Sequence, residues 1–338
     1  MSNATDGLSL RRPGDSQIRI CVLMPLRDDW TSAVELIRRL DHVLSAYPCV
    51  LDILIVDDAS DQPVCAEDFQ SRFLVVKVIR VLRLRRNLGH QRAIAIGIAH
   101  VAQTITSDAV LVMDADGEDT PEGALQLIRT FSEMNHGKRA VFAERSRRTE
   151  SLIFRVSYWL YKIVHRILTG IEVRVGNFSI FPSTHLNTLV VMSELWNHYA
   201  AAFFRSRLPF TTTPIPRGYR IAGKSSMNFV SLVTHGLSAI SVFGELVGVR
   251  IIIASIACSC MAIAGLLAVV ITRLFTDRAV PGWATYTTGF LIVILMQFLT
   301  IAMSFTFNLL SSRAALSFVP LRDYSLFVLE SVEAYRFE

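Results

Sequence analysis

Two long uncharged runs constrain the fold of this chain more than any other feature. Residues 251–272 pass 22 positions without an acidic or basic side chain, and residues 286–310 do the same over 25. As helices rising about 1.5 Å per residue, both runs are long enough for a hydrocarbon layer of about 30 Å. The short connection between them holds Asp277, Pro281 and Gly282, so the pair reads as a two-helix membrane hairpin. Gly265 and neighbouring alanines permit close helix approach, and with it a homo-oligomer. The hairpin accounts for an apolar content of 51% over 338 residues and a mean hydropathy of +0.41. What remains is enough for one domain of about 230 residues.

The net charge of +5 suits a surface facing anionic lipid. No Lys/Arg block is interleaved with stacking aromatics, which argues against nucleic acid as a partner. Cys21, Cys49, Cys65, Cys258 and Cys260 form no zinc-type CxxC pair and read as apolar packing in a reducing compartment. Residues 1–16 are polar, with Arg11-Arg12-Pro13 but no apolar core after them. A signal peptide is therefore not expected, and the N-terminal domain is expected to stay in the cytosol.

Upstream of the hairpin, apolar runs alternate with helical spacing. Strands are predicted at 18–24, 51–56, 75–82, 109–113 and 140–143, and helices at 30–46 and 90–103, with Pro121 opening another. This alternation implies an α/β fold, a mostly parallel sheet with helices on both faces, in which ligands bind beyond the carboxyl ends of the strands. Residues 151–168 are amphipathic, with Arg155, Lys162 and Arg166 beside Trp159 and Tyr161. They fit either a helix on a membrane surface or a core helix with a basic outer face. Residues 228–246 are a weaker candidate of the same kind.

The polar residues after the strands carry the chemistry. Asp114 and Asp116 follow the run Val110 to Met113 and lie two apart, so on an extended backbone both point the same way. Two hard oxygen donors at one strand end, with Glu118 and Asp119 beside them, suit Mg²⁺ or Mn²⁺. Such an ion stabilises the charge on a departing diphosphate. Asp57-Asp58-Ala59-Ser60-Asp61 is either a plain turn or a nucleotide pocket. Arg86-Asn87-Leu88-Gly89 opens a helix and favours an anion there, while His90 and Gln91 read equally as helix-starting residues. Arg83, Arg85 and Arg86 fit a basic surface. The stretch from Arg217 through Arg220 to Lys224 and Ser226 fits a loop closing over phosphates, or a basic patch on lipid headgroups.

Taken in order, these segments resemble family 2 glycosyltransferases with the GT-A fold. More narrowly, they are similar to polyprenyl-phosphate glycosyltransferases of the dolichyl-phosphate mannose synthase type, which carry membrane helices after the catalytic domain. Pro25-Leu26-Arg27-Asp28-Asp29, Asp57-Asp58-Ala59-Ser60, Arg86-Asn87-Leu88-Gly89, Asp114-Ala115-Asp116-Gly117-Glu118, Arg145-Ser146, Gly176-Asn177-Phe178 and the Arg220-to-Ser226 loop match the family's motifs in sequence order. Three positions depart from the pattern. Asn177 stands for an acid, Ser226 for a lysine, and Glu118 for a glutamine. An amide cannot take a proton at neutral pH, so Asn177 favours an acceptor that is already an anion.

The resemblance implies an inverting transfer of a hexose from a UDP- or GDP-linked sugar to a polyprenyl phosphate at the cytosolic face of a membrane, such as a bacterial inner membrane. Pro25, Asp29, Asp57, Asp58, Arg86, Asn87 and Asp114 would border the donor nucleotide. Asp114, Asp116 and Glu118 would hold Mg²⁺ or Mn²⁺. Asp116, Arg145, Asn177, Arg217, Arg220 and Lys224 would form the reaction centre. Transfer to a lipid or glycan hydroxyl, with Asp119 or Glu144 as base, is the alternative, and a silent nucleotide-binding membrane protein is the third reading. The expected divisions are a polar tail at 1–17, a GT-A domain at 18–227, a juxtamembrane segment at 228–250, spans at 251–272 and 286–310, and a cytosolic tail at 311–338. Arg273 and Arg278 in the connection keep the positive-inside count from being one-sided, but a nucleotide-using domain needs the cytosol, and Arg250, Arg313 and Arg322 agree with both ends facing it.

Overall fold

The computed structural model describes residues 17–62, 69, 72–134, 138–145, 163–170, 175–222, 229–276, 282–314 and 318–337. The chain divides into two compact units. The first holds residues 1–148, 174–228 and 318–338, and the second holds 149–173 and 229–317.

The first unit is built on one eight-stranded sheet, in the order β7-β5-β6-β4-β1-β2-β3-β8. Its centre is β1 (Ile18–Leu26), flanked by parallel β2 (Cys49–Asp57) and β4 (Ala109–Val112), with β3 (Val76–Leu84) parallel to β2. β1 from Ile20, β4 and most of β2 read as apolar runs because both faces are covered, whereas β3 carries Lys77, Arg80 and Arg83 at half-buried positions. Ile20, Val22 and Met24 pack into one core layer, and Cys21 and Leu23 into the other. Helices α1 (Trp30–Leu44) and α3 (Pro121–Glu133) cover the first face, and α2 (His90–Thr104) covers the second. Pro121 opens α3 as expected, with Thr120 Oγ1 accepting the Gly123 amide at 3.1 Å as N-cap. The chain reverses direction across the sheet between β1 and β4, where ligand crevices of open α/β sheets form.

Three strands lie beyond the predicted set. β6 (Val175–Pro182) runs antiparallel between β4 and β5 (Ala140–Arg145), and β7 (Phe210–Ile215) pairs parallel with β5. The third corrects the reading of residues 311–338 as a tail: β8 (Val328–Arg336) pairs antiparallel with β3 and completes the sheet. Its charges fall on a half-exposed edge, so it lacks the apolar run of a central strand. Among the further helices, α4 (Tyr199–Arg205) sends Tyr199, Ala202 and Phe203 into the second core layer.

In the second unit, α5 (Phe229–Ser241) precedes α6 (Gly244–Phe275) and α7 (Trp283–Ala314), each of the last two 32 residues long. The predicted runs 251–272 and 286–310 lie inside α6 and α7. Both helices are long and apolar enough to cross a membrane. They expose many large side chains, among them Met261, Leu274, Phe290 and Phe307, as lipid-facing helices do, while Ser255, Ser259, Ala262 and Val269 of α6 are buried. Residues 163–169 are helical. The rest of the amphipathic stretch at 151–168 lies outside the described residues.

Candidate active site

The loops after β1 and β2 are tied together at the carboxyl edge of the sheet. The Asp28 amide donates to Ser60 Oγ at 2.9 Å, Asp28 Oδ1 accepts the Asp61 amide at 2.7 Å, and Asp57 Oδ1 accepts the Ser60 amide at 2.8 Å. Asp28 and Ala59 both adopt positive φ, near 54° and 55°, so each loop turns sharply at the crevice. Pro25 is buried inside β1 opposite Val56 and shapes the strand's exit without presenting a polar group.

Asp58, expected beside a nucleoside, is engaged by the backbone at the same edge. Its two oxygens accept the amides of Leu88 and Gly89 at 2.6 and 2.8 Å. Burial pushes its carboxyl pKa up, and those amides only partly offset the rise. Asp58 is thus an anchor for the loop between β3 and α2. Asn87 Oδ1 also accepts the Gly89 amide, at 3.0 Å, while Arg86 is exposed.

The turn after β4 gathers the remaining acids. Asp119 is buried, and its Oδ2 accepts the Asp114 amide at 2.9 Å; Asp116 Oδ1 accepts the Glu118 amide at 2.9 Å. Over this turn lies the segment 216–222. The Gly218 amide donates to Glu118 O at 2.9 Å and the Ile221 amide to Asp116 O at 3.0 Å. The seat requires glycines: a Cβ on Gly117 would stand 2.5 Å from Ile221 Cγ1, and one on Gly218 would stand 2.8 Å from Gly117 O. So seated, Arg220 Nη2 lies 3.2 Å from Asp29 Oδ2 and 3.5 Å from Asp116 Oδ2, and Arg217 pairs with Glu118. Burial and the neighbouring Asp114 raise the Asp116 pKa, while Arg220 and Arg217 pull it back. Burial lowers that of Arg217, against the pull of Asp116 and Asp114.

A second layer of polar groups backs Asp114. His90 Nε2 lies 3.2 Å from Asp114 Oδ1 and 3.0 Å from Asn177 Nδ2. Desolvation lowers the His90 pKa, but Asp114, Asp119 and Asp116 outweigh it and the net shift is upward. Gln91 donates to Asn177 Oδ1 at 3.2 Å and accepts the Tyr199 amide at 2.8 Å. Ser179 Oγ donates to Asn177 O at 2.9 Å and shares a 2.8 Å bond with Tyr199 Oη. His90 and Gln91, ambiguous in the sequence, are thus brought against Asp114 and Asn177. Ser179 and Tyr199 carried no sequence signal beyond the Gly176-Asn177-Phe178 motif.

Residues 21–189, half of the chain, match the sequence profile described as Glycosyl transferase family 2. The chain belongs to that family. An uncharacterised glycosyltransferase of Bacillus subtilis (strain 168), YkcC, is 24% identical over 79% of this chain and 81% of its own length. The undecaprenyl-phosphate 4-deoxy-4-formamido-L-arabinose transferase of Klebsiella pneumoniae (strain 342) is 30% identical over 44% of this chain, a match spanning 43% of the Klebsiella protein. Mannosyl-3-phosphoglycerate synthase from Rubrobacter xylanophilus superposes with a TM-score of 0.48 at 14% identity, over 68% of this chain and 73% of that one.

For this family 2 glycosyltransferase the expected metal ligands divide. Glu118 is engaged by Arg217. Among the described residues, no three His, Cys, Asp or Glu side chains converge as a metal cage. Asp114 and Asp116 still fit an ion of the Mg²⁺ type, which is commonly held by one or two carboxylates together with substrate phosphates. Burial first and repulsion from Asp114 second raise the Asp116 pKa, and a cation there would relieve both. Arg145 ends β5 opposite Ile215, just before the Arg217 segment. Its side chain, and Ser146, Lys224 and Ser226, lie outside the described residues.

Proposed function

We propose that this glycosyltransferase moves a hexose, with inversion, from a UDP- or GDP-linked sugar to a polyprenyl phosphate at the cytosolic face of a membrane that α6 and α7 cross. One observation carries the donor half: Arg217 and Arg220 lie on Glu118, Asp116 and Asp29, at the switch point between β1 and β4. Cations and carboxylates already paired by side chains can exchange partners when a diphosphate arrives. The arginines would then serve phosphate oxygens, and Asp116, freed of Arg220, would join Asp114 as the residues to hold Mg²⁺ or Mn²⁺. Such an ion, when bound, supplies counter-charge to the departing diphosphate. In this reading Asp29 and Asp57 would border the nucleoside.

The acceptor half rests on Asn177. Its amide contacts His90 and Gln91 and offers no proton acceptor of the kind a hydroxyl nucleophile needs. A phosphate is already a nucleophilic anion, so positioning and charge neutralisation supply the rate. The relatives named for undecaprenyl-phosphate transfer support this acceptor class.

The test is radiolabelled transfer in membranes carrying the full chain, with UDP-glucose or GDP-mannose, polyprenyl phosphate and Mn²⁺. Label entering the lipid phase, and lost in Asp116→Ala, is the expected result and identifies the donor. Nucleotide binding without label in any polyprenyl phosphate would overturn the acceptor assignment.

A further inference from the structure

We infer that Glu330, on the strand that follows the two apolar helices, is a positioning residue for the donor pocket, acting on Asp57 through Arg83. The inference rests on the reading of Asp57 as part of the nucleotide pocket. Asp57, Arg83 and Glu330 stand in direct register across three neighbouring strands, Asp57 opposite Arg83 and Arg83 opposite Glu330. Side chains so placed on one face of a sheet are contact neighbours. Arg83 Nη1 donates to Glu330 Oε1 at 2.6 Å, and Arg83 Nε lies 3.6 Å from Asp57 Oδ2.

Burial gives the arrangement its consequence. Asp57 is fully buried, and among the described residues its Oδ2 has no hydrogen-bond partner, nor has the buried Nε of Arg83 facing it. A carboxylate in that setting depends on the cation beside it. Arg83 is only partly covered, and a guanidinium is a rigid planar fork, so the prong fixed by Glu330 sets where the Nε edge points. Asp57 Oδ1 in turn holds the Ser60 amide, and Ser60 Oγ holds the amide of Asp28. The order of the loops bordering the donor thus reaches back to a residue 247 positions beyond Arg83. The strand is fixed next to this point, since the Arg85 amide donates to Phe327 O at 2.8 Å.

Glu333 supplies an internal control. It lies on the same strand but faces Arg80 at 3.7 Å and pairs with Arg336, with no route to Asp57. The experiment uses the full chain in detergent micelles with Mn²⁺, and titrates UDP and GDP into the parent, Asp57→Asn, Arg83→Gln, Glu330→Gln, Glu333→Gln and the Arg83→Gln/Glu330→Gln double variant. Glu330→Gln is expected to weaken binding of the preferred nucleotide roughly two- to fivefold, the scale of a half-exposed ion pair. The donor KM should rise by the same factor at constant kcat. Glu333→Gln should leave binding unchanged, and the double variant should be no worse than Arg83→Gln alone, the signature of one shared path. Parent-like affinity in Glu330→Gln, or equal losses in Glu330→Gln and Glu333→Gln, would overturn the inference. Asp57→Asn separates the two levels: a loss of roughly tenfold or more upholds the pocket whatever Glu330 does, whereas parent-like binding removes the pocket reading and the inference with it.

Discussion

The strand ends of β2 and β4 each present a pair of acids, Asp57-Asp58 and Asp114/Asp116, and the structure uses the two pairs differently. At β2, Asp58 places both oxygens on backbone amides of Leu88 and Gly89. At β4, Asp116 faces Arg220, and Asp114 faces His90. Backbone amides are fixed by the chain path, so a carboxylate bound to them sets geometry. Arginine and histidine side chains can swing away, so a carboxylate paired with them stays available to a ligand. Similar local sequence therefore yields a structural acid at one strand end and an exchangeable one at the other.

The largest effect expected from that difference is on turnover. Asp116→Ala removes the exchangeable acid at the proposed diphosphate position and should lower transfer by about 10²–10³-fold. Its unfolding temperature should change little, because among the described residues Asp116 holds one amide, that of Glu118, and its charge is already opposed by Asp114. Paired transfer assays and thermal melts check this. A large fall in melting temperature would place Asp116 with the structural acids and erase the contrast with β2.

Asp58→Ala should show the opposite profile. Two amides lose a buried acceptor, at a cost of about 2 kcal/mol, or a fall of roughly 4–8 °C in the unfolding of the sheet domain. Residual transfer at low temperature should exceed that of Asp116→Ala, since Asp58 acts only through the loop it holds. Circular dichroism melts beside a 10 °C transfer assay would decide it.

This contrast also marks what the sequence could and could not convey. The central strands were legible because Ile20, Val22 and Met24 alternate with Cys21 and Leu23 into two covered faces, leaving an unbroken apolar run. The acids at their ends were legible as chemistry. Their division of labour was not, because the amides of Leu88 and Gly89 carry no residue identity. Strand β8 escaped for another reason. Glu330, Glu333 and Arg336 are spread along an exposed edge, and its partner β3 lies far upstream in the chain. The pairing of Arg217 with Glu118 depends on how the segment 216–222 seats on Gly117, a contact between regions about a hundred residues apart.

The smallest effect expected is at Asn177, which lies between the two cases: its backbone carbonyl accepts from Ser179, and its side-chain amide meets the movable groups of His90 and Gln91. Asn177→Asp keeps the shape and the acceptor toward Gln91, and adds a negative charge beside Asp114. For a phosphate acceptor that charge is repulsive, so the acceptor KM should rise by a few-fold, with the donor KM unchanged and the effect shrinking as salt screens it. For a hydroxyl acceptor the same carboxylate would offer the missing base and raise kcat. Initial rates against acceptor concentration at two ionic strengths separate these outcomes. A gain in kcat would mean that the amide at this position had been limiting proton removal, and that the nucleophile arrives protonated.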